Sequence, residues 1–218
     1  MLTYIDSSQG DVLPRILKRA AQGLDDIGNP VREIMATVRR EGDKALMDYT
    51  EKFDGVKLEG LEVDIHGEMP VIKDIDISLK SAIDLAIKNI DSFHRQQVMQ
   101  SQIIETMPGV RCWRKAVAIE KVGLYIPGGS APLFSTILML AVPARIAGCK
   151  EVILCTPPDK KGQIHPAILY AARATGVHRL FRVGGAQAIA AMTYGTGSIP
   201  KVDKIFGPGN AWVTVAKQ

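Results

Sequence analysis

Three polar residues in the second half of the chain stand beside glycine pairs. Tyr125 precedes Pro127-Gly128-Gly129, Gln187 follows Gly184-Gly185, and Asn210 follows Gly207-Pro208-Gly209. Tyrosine stacks on a ring or bonds through its hydroxyl, and the two amides each offer donors and acceptors. Glycine permits positive φ and close backbone approach. A loop that leads into a helix N-terminus presents free N–H groups and a positive dipole end to a phosphate. Together these features suit a neutral heterocycle, a ribose or a phosphate, and they contain no acid, base or nucleophile. A purely structural role is equally open at this point. Glycine pairs are ordinary turn chemistry after strands, Asn210 can be a helix cap, and Gln187 a satisfied first-turn residue. The dinucleotide fingerprint G-x-G-x-x-G is absent, because Gly207-Pro208-Gly209-Asn210-Ala211-Trp212 lacks the third glycine.

Catalytic equipment is thin. His66, His94, His165 and His178 are scattered, and neither His94 nor His165 has a carboxylate or cysteine at ligand spacing. His94 sits near a helix end and His165 precedes Pro166 in a loop. There is no H-E-x-x-H, G-x-S-x-G or phosphate-binding P-loop motif. The expectation is therefore no catalytic and no metal-ligating residue in this chain. Cys149 and Cys155 flank an apolar strand and are expected as small core residues, and Trp113 and Trp212 are likewise read as core. The cysteine count of 3 is odd and no C-x-x-C pair occurs, which excludes a disulfide framework and a zinc knuckle.

The elements that must position these residues alternate regularly after residue 120. Strands are expected at Val122–Ile126, Glu151–Cys155, Arg179–Val183 and Lys204–Phe206. Helices are expected at 135–147, 166–175 and 186–194, the first two ending at Gly148 and Gly176, with a last helix from Asn210 that runs into Lys217-Gln218. Short strands separated by helices of 10–15 residues imply a parallel sheet with helices on both faces. Ligands of such sheets bind outside the carboxyl ends of the strands, where all three polar residues fall. The earlier part is mainly helical. Asn29-Pro30 reads as a cap and first-turn proline, followed by the stripe Val31, Ile34, Met35 and Val38, with Gly42 as its stop. Asp43 is expected to cap a helix with Leu46, Tyr49 and Phe53 inward and Gly55 beyond its end. Leu61, Val63 and Ile65 form a half-buried strand. Residues 78–97 form a longer helix with Leu79, Ala82, Ile83, Ala86, Ile90 and Phe93 on one face. Pro108-Gly109 turns the chain into an extended run from Val110 to Ile119. The fold class is thus α/β, an incomplete doubly wound, Rossmann-like parallel sheet preceded by a helical segment with short strands. The division falls at 1–119 and 120–218, the second part cut at its C-terminal end.

Composition bounds the rest. The 218 residues are 46% hydrophobic and 23% charged, ordinary globular values. No apolar run reaches the roughly 20 residues of a spanning helix; the longest, around Ile137 to Ile146, holds Pro143 and Arg145. The net charge of +4 is spread along the chain, which argues against nucleic acid as a partner. The N-terminal MLTYIDSSQG has no basic segment followed by an apolar one, so no signal peptide and a cytoplasmic location are expected.

The stretches VGLYIPGGSAPLFSTILMLAVPARIAGCKEVILCTPP, RVGGAQAIAAMTYGTGSIPKVDKIFGPGNAWVTVAK and PGVRCW closely resemble the histidinol dehydrogenase family, as do GDKAL…YTEKFD and AIKNIDSFH. The resemblance covers essentially the whole chain. It implies oxidation of L-histidinol to L-histidine through L-histidinal, with NAD as the oxidant, and it implies that Tyr125, Gln187 and Asn210 match the family's NAD-contacting positions. It also implies a homodimer and a Zn2+ that positions substrate. Family members are about twice as long, and their acid–base pair, zinc ligands and substrate contacts fall in the half with no counterpart here. None of these is carried over, and the chain alone is expected to be inactive as a dehydrogenase. The alternative is a stand-alone nucleotide-binding remnant without catalytic activity.

Overall fold

A computed structural model describes residues 24–129 and 131–218. The N-terminal decapeptide examined for a leader lies outside the described residues. In chain order the elements are α1 (Leu24–Glu41), α2 (Asp43–Asp54), β1 (Glu62–Val63), α3 (Pro70–Lys73), α4 (Ile77–Arg95), β2 (Ile104–Met107), β3 (Val110–Cys112), β4 (Lys121–Tyr125), α5 (Phe134–Ala147), β5 (Glu151–Thr156), α6 (Pro166–Thr175), β6 (Arg179–Arg182), α7 (Gly185–Tyr194), β7 (Lys204–Phe206) and α8 (Ala211–Ala216).

The expected α/β class holds. β6, β5, β4 and β7 pair in parallel in that spatial order, and β1 adds an antiparallel edge beside β6. Side chains alternate across the sheet as the strand period demands. Ile153, Cys155 and Phe181 face one cluster, shared with α1, α2, α7 and α8; Val152, Leu154 and Leu180 face the other, shared with α4, α5 and α6. From β4 the chain steps through α5 and α6 to β5 and β6 on one side. It then crosses the opposite face through α7 to place β7 on the other flank of β4. The strand order therefore reverses at β4. A crevice forms at such a reversal because the neighbouring connections leave in opposite directions, and ligands of open parallel sheets bind there. β7 is pinned to β4 by Asp203 N–H donating to Lys121 O at 2.9 Å and by Lys121 N–H donating to Asp203 Oδ2 at 2.9 Å. β1 is pinned to β6 by Arg179, whose Nε and guanidinium NH2 donate to the two Glu62 carboxylate oxygens at 2.7 Å each.

Several local expectations change. Asn29-Pro30 lies inside α1 rather than at its start. Proline's φ matches a helix, and its missing N–H and the crowding of the carbonyl four residues earlier are borne by a helix whose Val31, Ile34 and Val38 are buried in the core, while Asn29 Oδ1 takes a side-chain bond from Arg32. Gly42, not Asp43, is the boundary residue of α2, because the Asp43 carboxylate is drawn to Ser198, accepting from its N–H at 3.2 Å and its hydroxyl at 2.7 Å. Phe53 and Phe93 are exposed rather than inward. The strand after Gly109 ends at Cys112, and among the described residues it pairs only with β2, in a hairpin that the hydrophobic pattern did not reveal because both of its strands are exposed. Trp113 is 60% exposed. Cys155 is buried, and Cys149, partly buried, packs against the same apolar layer as α5.

Candidate nucleotide-binding cleft

The carboxyl ends of β4, β5, β6 and β7 open into one cleft of about 730 Å³, a size typical of small-ligand sites. Tyr125, Gln187 and Asn210 all line it. The three residues come from three different connections, and the reversal of strand order at β4 is what brings them together.

Tyr125 ends β4 and is buried, with 4% of its surface exposed. Its hydroxyl accepts a hydrogen bond from Gly185 N–H at 3.0 Å. That bond satisfies one of the free N–H groups at the start of α7. Burial pushes the phenol's pKa up, so the hydroxyl stays protonated at neutral pH. Having accepted one bond, it keeps its own proton to donate. Gln187, in the first turn of α7, is 2% exposed. Its amide makes no side-chain hydrogen bond among the described residues and folds back toward Gly185, where an added Cβ would lie 2.6 Å from Gln187 Oε1. The amide lines the cleft, where its N–H and C=O groups can meet a ligand's polar groups. Asn210 is a cap as well as a cleft residue: its Oδ1 accepts from Val213 N–H at 3.1 Å, which leaves the amide N–H groups for the cleft.

The glycines serve two different ends. Gly185 (φ 63°) and Gly207 (φ 137°) occupy the left-handed half of φ space, as the turn chemistry anticipates. A Cβ at Gly207 would fall 2.0 Å from the carbonyl oxygen of Tyr125, so only glycine lets the β7 loop lie against the end of β4. Gly128 and Gly184 have no positive φ. They are small because Pro157, from the loop after β5, sits between them: an added Cβ would meet its ring 2.6 Å away at either position. The three strand-end loops thus pack on one proline.

The cleft holds residues the sequence reading passed over. Phe53 and Asp54 reach it from the end of α2, Lys160 from the β5–α6 loop, and Trp212 from α8. Phe53 stacks on Tyr49 with 5.5 Å between ring centroids. Trp212, expected in the core, is 37% exposed at the cleft. Burial raises the carboxyl pKa of Asp54, with the Lys160 charge pulling the other way. No periodic signal marks Phe53 or Asp54, because their helix ends a long way from the strand-end loops in sequence.

All four histidines have structural partners outside this cleft. His66 Nε2 lies 2.8 Å from His178 O, and His178 Nδ1 accepts from Val152 N–H at 3.0 Å. His165 Nδ1 accepts from Ala167 N–H at the start of α6, and His94 Nδ1 meets Gln97 Oε1. Among the described residues, no three His, Cys, Asp or Glu side chains converge to hold a metal ion. No described helix is long and apolar enough to cross a membrane.

Comparisons with known proteins agree with this architecture. The sequence model of the family described as histidinol dehydrogenase matches residues 17–218. The histidinol dehydrogenases of Bacteroides fragilis and Bacteroides thetaiotaomicron are 56% and 59% identical over 218 residues, which is 100% of this chain and 50% and 51% of theirs. The crystal structure of histidinol dehydrogenase from Elizabethkingia anophelis superposes with a TM-score of 0.84 at 51% identity, covering 88% of this chain and 44% of that one. The chain spans about half the length of the curated relatives it matches.

Proposed function

The chain belongs to the histidinol dehydrogenase family, and from that premise we propose that it supplies the NAD-binding part of an enzyme that oxidises L-histidinol to L-histidine through L-histidinal. The observation that carries this reading is the convergence of Tyr125, Gln187 and Asn210 on one cleft at the point where strand order reverses. The donor set fits a dinucleotide. A protonated phenol, a bonding-competent amide on α7 and the free amide N–H groups of Asn210 offer contacts to sugar and base edges. The N-terminus of α7 and the Lys160 ammonium suit a pyrophosphate.

NAD, when bound, supplies the hydride acceptor. The chain's own residues bind and orient it. Tyr125 holds the start of α7 in place and offers its O–H proton, Gln187 contributes an amide with both donor and acceptor, and Asn210 fixes the loop after β7 while presenting its N–H groups. The preformed loops around Pro157 reduce the ordering cost of binding. The described residues do not fit the family's Zn2+, since no three ligands converge, and no step is assigned to it in this chain. A homodimer, a cytoplasmic location and the division at residue 120 belong to the same proposal. So does the lack of turnover by the 218-residue chain, since the resemblance puts the family's acid–base pair in the half with no counterpart here.

The test is calorimetric titration of NAD into the chain and into Gln187→Ala and Asn210→Ala. Each truncation removes one polar contact, about 1–2 kcal/mol, and is expected to weaken NAD by roughly 5- to 30-fold. Unchanged affinity in both variants, with helicity and melting preserved, refutes the assignment. NADH formed from L-histidinol by the chain alone refutes the expectation of inactivity.

A further inference from the structure

Asp54 is an anomaly in the cleft. It closes α2 and lines the same space as Tyr125 and Gln187. Neither of its carboxylate oxygens accepts a hydrogen bond from the described residues, and Oδ2 is shielded from solvent without a partner. Asp159, on the same cleft, shows the ordinary alternative: its Oδ1 accepts from the N–H groups of Lys161 and Gln163 at 2.8 Å each. A desolvated carboxylate without donors is costly, and a site that keeps one is expected to meet donors from elsewhere. Lys160 acts on it only through its charge. Asp54 shares the cleft with Tyr125, and its charge helps to keep the phenol that anchors α7 protonated.

A carboxylate accepts and never donates once ionised, so its complement must be a donor pair. Of the parts of a dinucleotide, the phosphates are repelled, the ring nitrogens of adenine are acceptors, and the adenine amino and nicotinamide carboxamide groups each donate from a single nitrogen. A vicinal sugar diol presents two O–H donors side by side, as a two-oxygen acceptor requires. On the reading that the cleft binds NAD, we infer that Asp54 recognises a ribose diol of the dinucleotide, a specificity contact made from α2 and not from the strand-end loops. Two sugars carry that diol. If the partner is the adenosine ribose, the same carboxylate repels a 2′-phosphate and sets a preference for NAD over NADP, as acidic residues do by another route in dinucleotide folds with the glycine fingerprint.

The experiment is calorimetric titration of NAD and NADP into the 218-residue chain, into Asp54→Asn and into Asp54→Glu. Asparagine keeps the shape and removes the charge, and is expected to weaken NAD about tenfold or more. Glutamate keeps the acceptor and is expected to recover part of that loss, a result that also separates recognition from misfolding. A fall in the NAD-to-NADP preference of Asp54→Asn assigns the adenosine ribose; a weakened NAD with unchanged preference assigns the nicotinamide ribose. NAD affinity within twofold of the parent in Asp54→Asn overturns the inference while leaving the NAD-binding reading intact. A parent chain that binds no NAD overturns both.

Discussion

The Tyr125→Phe variant isolates one bond between a strand and a helix. In the parent, Gly185 N–H donates to the Tyr125 hydroxyl at 3.0 Å, and Tyr125 is 4% exposed. Phenylalanine keeps the ring and its apolar contacts, so the change is confined to the missing oxygen. The net value of the bond is about 1 kcal/mol, and the stranded donor adds a desolvation cost on a scale of about 1–3 kcal/mol. Water entering from the cleft recovers part of that cost, so the expected loss is about 1–2 kcal/mol. With a urea slope of about 3 kcal/mol/M for a chain of this size, the midpoint should fall by about 0.3–0.7 M at constant slope. The assay is urea denaturation followed by circular dichroism. A midpoint within about 0.1 M of the parent would mean that the hydroxyl does not hold α7, and the account of the cleft's geometry would fall with it.

Two further outcomes follow from the same structure. Gly207→Ala combines φ 137° with a Cβ placed against the Tyr125 carbonyl; strain of this kind costs about 1–3 kcal/mol before the clash is relieved, so a melting temperature equal to the parent's would contradict the packing described for the β7 loop. Glu62 is held below the usual carboxylate range by its hydrogen bonds to Arg179, with burial acting in the opposite sense. A lowered pKa contributes stability that is present above the unfolded value near 4.5 and is lost as pH falls through the lower folded value. Glu62→Gln should therefore flatten the stability profile below about pH 4.5, and an acid limb identical to the parent's would rule the pair out as its source.

The alternating half of the fold was legible because its signals are local. Pro166–Thr175 and Lys204–Phe206 fall where the sequence puts them, since proline and glycine punctuate both ends of the helix and apolar runs mark the strands. Tyr125, Gln187 and Asn210 were legible for a related reason: the end of a parallel strand is a predictable place even when strand order is not. Their meeting in one cleft depends on β7 returning beside β4, a pairing across 82 residues that no local pattern encodes. Asp54 and Phe53 were missed on the same ground, for their approach to the cleft depends on how α2 packs against α7 through Leu46 and Ala45. The assignment of Asn29-Pro30 as a helix start failed because a residue pair that suits a first turn is also tolerated deeper in a helix that tertiary contacts hold. The two glycine pairs were read as freedom of φ and close approach, and at Gly128 and Gly184 it is close approach that matters, to a proline 27 residues from the nearer of them whose identity no local pattern reveals.

That proline ties together the histories of three loops. A methyl group at residue 128 would meet the Cγ of Pro157 and becomes admissible once the ring is gone, whereas one at residue 184 would meet its Cβ and needs glycine at 157 as well. Substitutions at the three positions should therefore be strongly non-additive, with Pro157→Ala, which removes Cγ, rescuing Gly128→Ala but not Gly184→Ala, whose methyl meets the Cβ that alanine keeps. Filling either glycine position is therefore contingent on an earlier or simultaneous change at Pro157.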